Sequence, residues 1–284
     1  MARRFAAPYQ SEPVSVLASW ARYLAFFSLI ACVVSIIVIR FGFLEFKPAL
    51  ATFFGALGLA ALSILVAFAA FAAIWQNGSR GMGRIFMALV IDIAILAYPT
   101  YLGLQYRKLP AIHDITTDPI DPPRFDALAR LRGSDGTNPA AYAGLYSAEQ
   151  QQHAYPDIEP ATLEVPPQKA FDEVLRLVTK RKWLIIDERA PQPPRNIGRI
   201  EAVARTPIMG FREDISIRVQ PDTDGSRVDV RSSSRYFEHD LGTNAARVSK
   251  LIDDLNDAVD NAKPARKQLA PAKPPVVPKT AVKR

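Results

Sequence analysis

GRIEAVARTPIMGFREDISIRVQPDTDGSRVDVRSSSR, residues 198–235, decides the fold. Apolar and charged residues alternate along it. Successive side chains of a strand point to opposite faces, so the stretch reads as three short strands joined by turns. One face carries Ile200, Ala202, Ala204, Ile215, Ile217, Val219, Val228 and Val230. The other carries Glu201, Arg205, Asp214, Arg218, Asp229, Arg231 and Arg235. PDTDGS, residues 221–226, is a hairpin signal in which Gly225 supplies a backbone angle that other residues avoid.

Working outward, TLEV (162–165) reads as a short strand, and Pro167 opens a helix to about Arg181 with Phe171, Val174, Leu175 and Val178 on one face. WLIID (183–187) is a further strand. The last helix follows Thr243 and carries Val248, Leu251, Ile252, Leu255 and Val259 as a stripe. The order is strand, helix, four strands, helix. The expected fold class is α+β: an antiparallel sheet with both helices on its apolar face, in a domain spanning residues 161–261. This order is similar to helix-grip folds.

Upstream, the chain changes character. Residues 1–22 are a polar lead. Three apolar runs, 23–39, 49–75 and 85–104, are each about as long as the roughly 20 residues that a spanning helix needs. They define a three-helix transmembrane region over 23–108. Ala56/Ala60 and Ala69/Ala73 are spaced to let helices approach closely. Leu29–Cys32 has the form of a lipobox, but the run continues apolar, so the segment reads as an uncleaved anchor. Residues 109–160, rich in Pro and Asp, read as a strap lying on the domain or the membrane surface. It is expected to hold a short helix from Pro123 to near Gly133 and another from Asn138 to about His153. Residues 262–284 hold Pro, Lys and Ala with little to bury and read as a disordered tail.

The net charge is +7, and the tail alone holds seven cations and no acid, so the remainder is balanced. A basic groove for nucleic acid is therefore not expected, although the tail could meet anionic lipid headgroups. Arg3, Arg4, Arg22, Arg80 and Arg84 flank one side of the three spans, and Arg40, Lys47, Arg107 and Lys108 the other. By the positive-inside rule the N-terminus faces the cytoplasm and the C-terminal domain the periplasm, in a multi-pass protein of the bacterial inner membrane. Asp92 lies inside the third span. It reads as a proton or ion relay, or as a carboxyl meeting Ser28, Ser35, Thr52 or Ser63. A relay needs more than one ionisable group at depth, so the hydrogen-bonded form is expected.

IHDITTD with PPRF, then YPDIEP, then RIEAVARTPIMGFREDISIRV, then DVRSSSRYFEHDLGTNAARV together resemble a bacterial family catalogued as domain of unknown function fourteen ninety-nine. The resemblance runs from about Ile112 to Leu255. It rests on Asp114, Pro156, Pro160, Glu201, Thr206, Asp214, Arg218, Arg231, Ser232, Ser234, Arg235, Asp240, Gly242, Asn244 and Arg247. It implies a membrane-anchored or exported protein and no particular activity.

Chemistry is sparse. Glu201, Arg218, Asp229 and Arg231 can form an alternating-sign ladder across neighbouring strands. The expectation is a solvated, self-paired face. The alternative is a face covered by the strap or a partner, whose buried arginines need carboxylates or bind an anion. Arg235, His239, Asp240, Asn244 and Arg247 surround a helix N-terminus and could cradle an anion. Ordinary capping by Asp240 or Thr243 is the expectation. His113, Asp114, His153, His239 and Asp240 lack metal-ligand spacing. There is no nucleophile motif and no phosphate loop, so no catalytic residue, metal or cofactor is expected. The functional expectation is a non-enzymatic envelope binding or scaffold protein, with the lipid bilayer and an envelope protein as partners and no nucleic acid. The alternatives are an enzyme or small anionic-ligand binder on the arginine-rich face, and proton coupling through Asp92.

Overall fold

The computed structural model describes residues 13–132 and 137–262. Most of the polar lead, Gly133 and the cationic tail from Lys263 lie outside the described residues. Three helices come first: α1 (Val16–Phe41), α2 (Phe46–Asn77) and α3 (Met82–Lys108). All three are long and apolar enough to cross a membrane, which points to a membrane protein. Their packing is inside out. The buried interface is Ala18, Ala21, Ala25, Ala56, Ala60, Ala67, Ala70 and Ala88, while Phe27, Ile30, Leu65, Phe68, Phe86 and Ile93 face outward. Lipid is as apolar as leucine, so close backbone approach through small residues, not apolar burial, holds such a bundle together. Ala56 and Ala60 are at the interface as their spacing suggests, but Ala69 is exposed. The helical phase set by Ala56, Ala60 and Ser63 continues to Ala67, Ala70 and Ile74 instead.

The rest is an α+β domain around an antiparallel sheet. Its strands are β1 (Asp114–Thr116), β2 (Ala161–Leu163), β3 (Leu184–Arg189), β4 (Gly198–Arg205), β5 (Arg212–Asp222) and β6 (Gly225–Ser234). Its helices are α4 (Ala127–Leu131), α5 (Leu145–Ala154), α6 (Pro167–Lys180) and α7 (Thr243–Ala262). The sheet order is β1-β6-β5-β4-β3, and β2 lies along the same edge of β6 as β1. α6 and α7 cover the apolar face. There Ile200, Ile217 and Val230 meet Phe171, Val174, Leu251 and Leu255, all essentially fully buried. Burying each such side chain stabilises by about 1.5–3 kcal/mol. At the tight β5–β6 turn Asp222 faces Gly225. A Cβ on Gly225 would stand 2.1 Å from the Leu163 carbonyl oxygen, so glycine lets β2 lie against the hairpin.

The segment read as a strap differs from expectation in three ways. Its first helix starts at Ala127 rather than Pro123. The segment also supplies a strand, β1, which pairs with β6 at Asp114↔Ser233 and Thr116↔Arg231. Its second helix starts at Leu145 rather than Asn138. The Asn138 side-chain amide donates to Ser234 O at 2.9 Å and Phe237 O at 2.7 Å, which ties this residue to the end of β6.

Candidate functional site

The strand register arranges the polar face in rows. Arg231, Ser216 and Glu201 form one, and Asp229, Arg218 and Arg199 the next. Contrary to the expectation of a solvated ladder, this face is covered. Residues 117–132 cross it, Phe125 and Leu128 pack on Val203, and Glu201, Asp214, Arg218, Asp229, Arg231 and Arg235 are all buried. Phe125, just before α4, and Leu128 within it are the buried apolar side chains that anchor the segment over the charges.

Each buried arginine on this face has a carboxylate. Arg231, 2% exposed, donates from Nε to Asp114 Oδ1 at 2.9 Å and from Nη2 to Oδ2 at 2.6 Å. Its remaining donors reach Pro123 O and Ala140 O, and its guanidinium lies 4.4 Å from the Phe125 ring centroid. Arg218 bonds Asp229 on its own sheet and Asp118 and Asp121 from the covering segment. Burial alone would weaken the Arg218 charge, but Asp229 and Asp121 hold its pKa above the ordinary value. Arg227 bridges Asp229 and Asp118. Asp214 accepts from Arg235 at 2.8 Å and from Arg132 at 2.8 Å. The Glu201 carboxylate accepts the backbone N–H groups of Asp126, Ala127 and Leu128, at 2.8, 3.2 and 2.8 Å. It thus caps α4 from a neighbouring strand, satisfying donors that a helix start leaves free. Tyr142 beside Asp114 is pushed up to about 12 by burial and by that charge.

A second polar cluster lies on the other face, where the sequence pattern seemed purely apolar. Ser232 and Ser234 are in phase with Val228 and Val230, and so point at α7. Ser232 Oγ donates to Asn244 Oδ1 at 2.8 Å, and Asn244 Nδ2 donates to Ser234 Oγ at 2.9 Å. Arg247 bonds Ser232, Asn244 and Glu213, and Thr243 Oγ1 donates to Glu213 at 3.0 Å. Asp240 accepts the N–H groups of Gly242 and Asn244. This is capping geometry that docks the start of α7 on β6. Burial raises the Asp240 pKa above 3.8 against these two hydrogen bonds. The His239 Nδ1 accepts from Leu241 N, so its Nε2 is the donor toward Leu109 O at 3.1 Å.

The structure therefore joins Asp214 to Arg235, Arg218 to Asp229 and Arg231 to Asp114 on β1, sends Glu201 to the covering segment, and places Asp240, Asn244 and Arg247 in a separate cluster. Sequence reasoning did not assign Asp118, Asp121, Arg132, Glu213 or Arg227 to these networks. Carrying the two-residue alternation through Ser234 and back to Glu213 would have revealed the second cluster. A cleft of about 260 Å³ beside the polar face is lined by Asp121, Arg124, Asp126, Arg199, Ser216 and Arg218. Among the described residues no group of three or more His, Cys, Asp or Glu is placed to hold a metal.

Asp92 is fully buried in the helical bundle, and neither carboxylate oxygen has a hydrogen-bond partner among the described residues. Of the four hydroxyls expected to meet it, Ser28 donates to Ala25 O, Thr52 to Ala49 O and Ser63, which lies beside the carboxyl, to Ala21 O, while Ser35 is buried without bonding it.

A family model described as a protein of unknown function, DUF1499, matches residues 114–255, half of the chain. It begins at Asp114 and ends at Leu255, and so includes β1, the covering segment, the sheet and most of α7. No curated protein and no solved structure matches the chain.

Proposed function

The chain belongs to the DUF1499 family, and from that premise we propose a non-enzymatic binding or scaffold protein of the bacterial inner membrane. Its C-terminal domain stands in the periplasm and meets an envelope protein. One observation carries the non-enzymatic reading: the buried arginines of the polar face are each matched to carboxylates of the same chain. Among the described residues no buried arginine of that face is left without a carboxylate to bind or polarise a substrate. Five positive residues on the N-terminal side of the spans against four on the domain side favour the periplasmic orientation.

Alkaline phosphatase fused at Lys263 is expected to be active, and an inactive fusion would refute the periplasmic placement. A photo-crosslinker at Leu184, exposed on the edge strand β3, is expected to capture one envelope protein in cells. Capture of nothing from this or other exposed strand positions would contradict the binding role. A second reading, a small anionic ligand in the 260 Å³ cleft, is favoured by Arg124 and Arg199 at its rim. In that reading Arg199→Gln abolishes saturable binding of a phosphorylated or carboxylated metabolite.

A further inference from the structure

We infer that the junction between the helical bundle and the sheet domain binds the phosphate headgroup of an anionic membrane lipid, held by Arg40, Arg205 and Arg212. The junction is a built structure. Arg40 Nη1 donates to Pro207 O at 2.7 Å and Ile208 O at 3.2 Å, and Arg205 Nη1 returns a bond to Arg40 O at 3.1 Å. The β4–β5 turn fits closely there: Gly210 has φ +71°, and a Cβ on it would lie 3.0 Å from Arg40 Cγ. On the far side of the contact, Phe46 at the start of α2 stacks on Tyr236 at 4.0 Å and meets Phe237 edge-on at 5.2 Å.

Between these contacts lies a cleft of about 150 Å³, with Arg40, Arg205 and Arg212 on its polar side and Phe41, Leu44 and Phe46 on its apolar side. No carboxylate lines it. Among the described residues none of the three arginines pairs with an acid, and Arg212 makes no side-chain hydrogen bond. Three exposed arginines without an acid partner among the described residues thus line one cleft. Guanidinium groups favour phosphate, which they can grip with two parallel bonds.

The depth argues for a lipid. Arg40 is the penultimate residue of α1 and Phe46 the first of α2. Helices leave the apolar layer at such ends, where headgroups and aromatic belts lie. Phe41 is 67% and Phe43 70% exposed, giving an apolar lip on which an acyl chain can rest. Lys47, Arg107 and Lys108, exposed at the same helix ends, add to the attraction for an anionic leaflet. The cleft is smaller than the about 300–1,000 Å³ usual for small-molecule sites, which suits a headgroup whose tails stay in the bilayer. The inference rests on α1–α3 spanning the membrane, and not on the domain's side or role.

The test uses the full chain in dodecylmaltoside, followed by native mass spectrometry during titration with phosphatidylglycerol, phosphatidylcholine or soluble glycerol phosphate. Phosphatidylglycerol is expected to bind at least about tenfold tighter than phosphatidylcholine. A charge near a membrane surface changes affinity about fivefold, so Arg212→Gln lowers phosphatidylglycerol affinity about fivefold and Arg205→Gln/Arg212→Gln about 30-fold. Because the Arg212 side chain has no hydrogen-bond or ion-pair partner among the described residues, its variant should melt like the parent, which separates loss of binding from misfolding. Equal binding of the two lipids, or unchanged affinity in both variants, overturns the inference. Glycerol phosphate binding as tightly as phosphatidylglycerol overturns the lipid as occupant. An inactive phosphatase fusion, which would sink the periplasmic reading, leaves this titration unaffected.

Discussion

Asp114→Asn removes the carboxylate charge that faces Arg231. Both side chains are sealed from solvent, at 0% and 2% exposure, and share two hydrogen bonds at 2.9 and 2.6 Å. Asparagine keeps one acceptor oxygen and loses the charge and one bond. Removing one partner of a buried pair costs about 3–5 kcal/mol, because the other charge is left uncompensated. Pro123 O, Ala140 O and the Phe125 ring remain around the guanidinium, which places the expected loss near the lower end, about 3 kcal/mol. That is a large part of the about 5–15 kcal/mol that holds a typical domain together. The assay is urea unfolding of the full chain in detergent, followed by Trp183 emission with Trp20 and Trp75 replaced by Phe. Removing both charges in Asp114→Asn/Arg231→Met should restore much of the loss, since an apolar replacement of a whole buried pair is often neutral or stabilising. A loss under about 1 kcal/mol for Asp114→Asn, or a double variant no better than the single one, would refute a closed, paired interior.

Other consequences are as sharp. Glu201→Gln weakens the cap on α4 by about 2 kcal/mol, so trypsin should cut after Arg130 or Arg132 up to about 30-fold faster while β5 stays protected; unchanged cleavage would show that the cap does not hold the segment down. His113 is held below its ordinary pKa of 6.5 chiefly by burial, with Arg132 and Arg231 acting in the same direction. The unfolded chain then binds more protons near pH 6, so this contribution to stability is full above about pH 6.5 and is lost as pH falls through the depressed folded value. His113→Gln should therefore flatten the fall in stability between pH 7 and pH 5, and an unchanged slope would exclude His113 as its source. Asp92→Ala removes a buried carboxyl without hydrogen bonds, which should stabilise the bundle by about 1–3 kcal/mol. A bundle that dissociates more readily in denaturing detergent would indicate that Asp92 has a partner.

The elements with strict periodicity were legible in the sequence. Ile200, Ala202, Ala204 and Ile215, Ile217, Val219 alternate cleanly because one face of β4 and β5 meets the helices. The stripes of α6 and α7 complete the same core. The segment over the polar face was less legible. Asp114 and Arg231 are 117 residues apart, and Arg218 meets Asp121 across 97. Partnerships at that range leave no repeat in the local pattern, and the prolines around Asp118 and Asp121 resemble those of any loop. Asn138 followed by Pro139 has the composition of a helix start, yet the Asn138 amide serves two carbonyls at the end of β6. The alternation puts Ser232 and Ser234 on the helix-covered face, but it does not say that Asn244 and Arg247 meet them there.

Amide hydrogen exchange on the full chain in lipid nanodiscs tests most directly whether the covering segment is part of the domain and closes its polar face. Thr117 N–H bonds Val230 O, and Leu128 N–H bonds the Glu201 carboxylate. If the cover is integral, both amides exchange with protection within about tenfold of Ile217 in the central strand β5, since all three open only with the domain. Exchange of Thr117 and Leu128 at least a hundredfold faster than Ile217 would mean that the segment lifts off independently. The arginine face would then be open to ligands, and the account of a self-matched scaffold would be wrong.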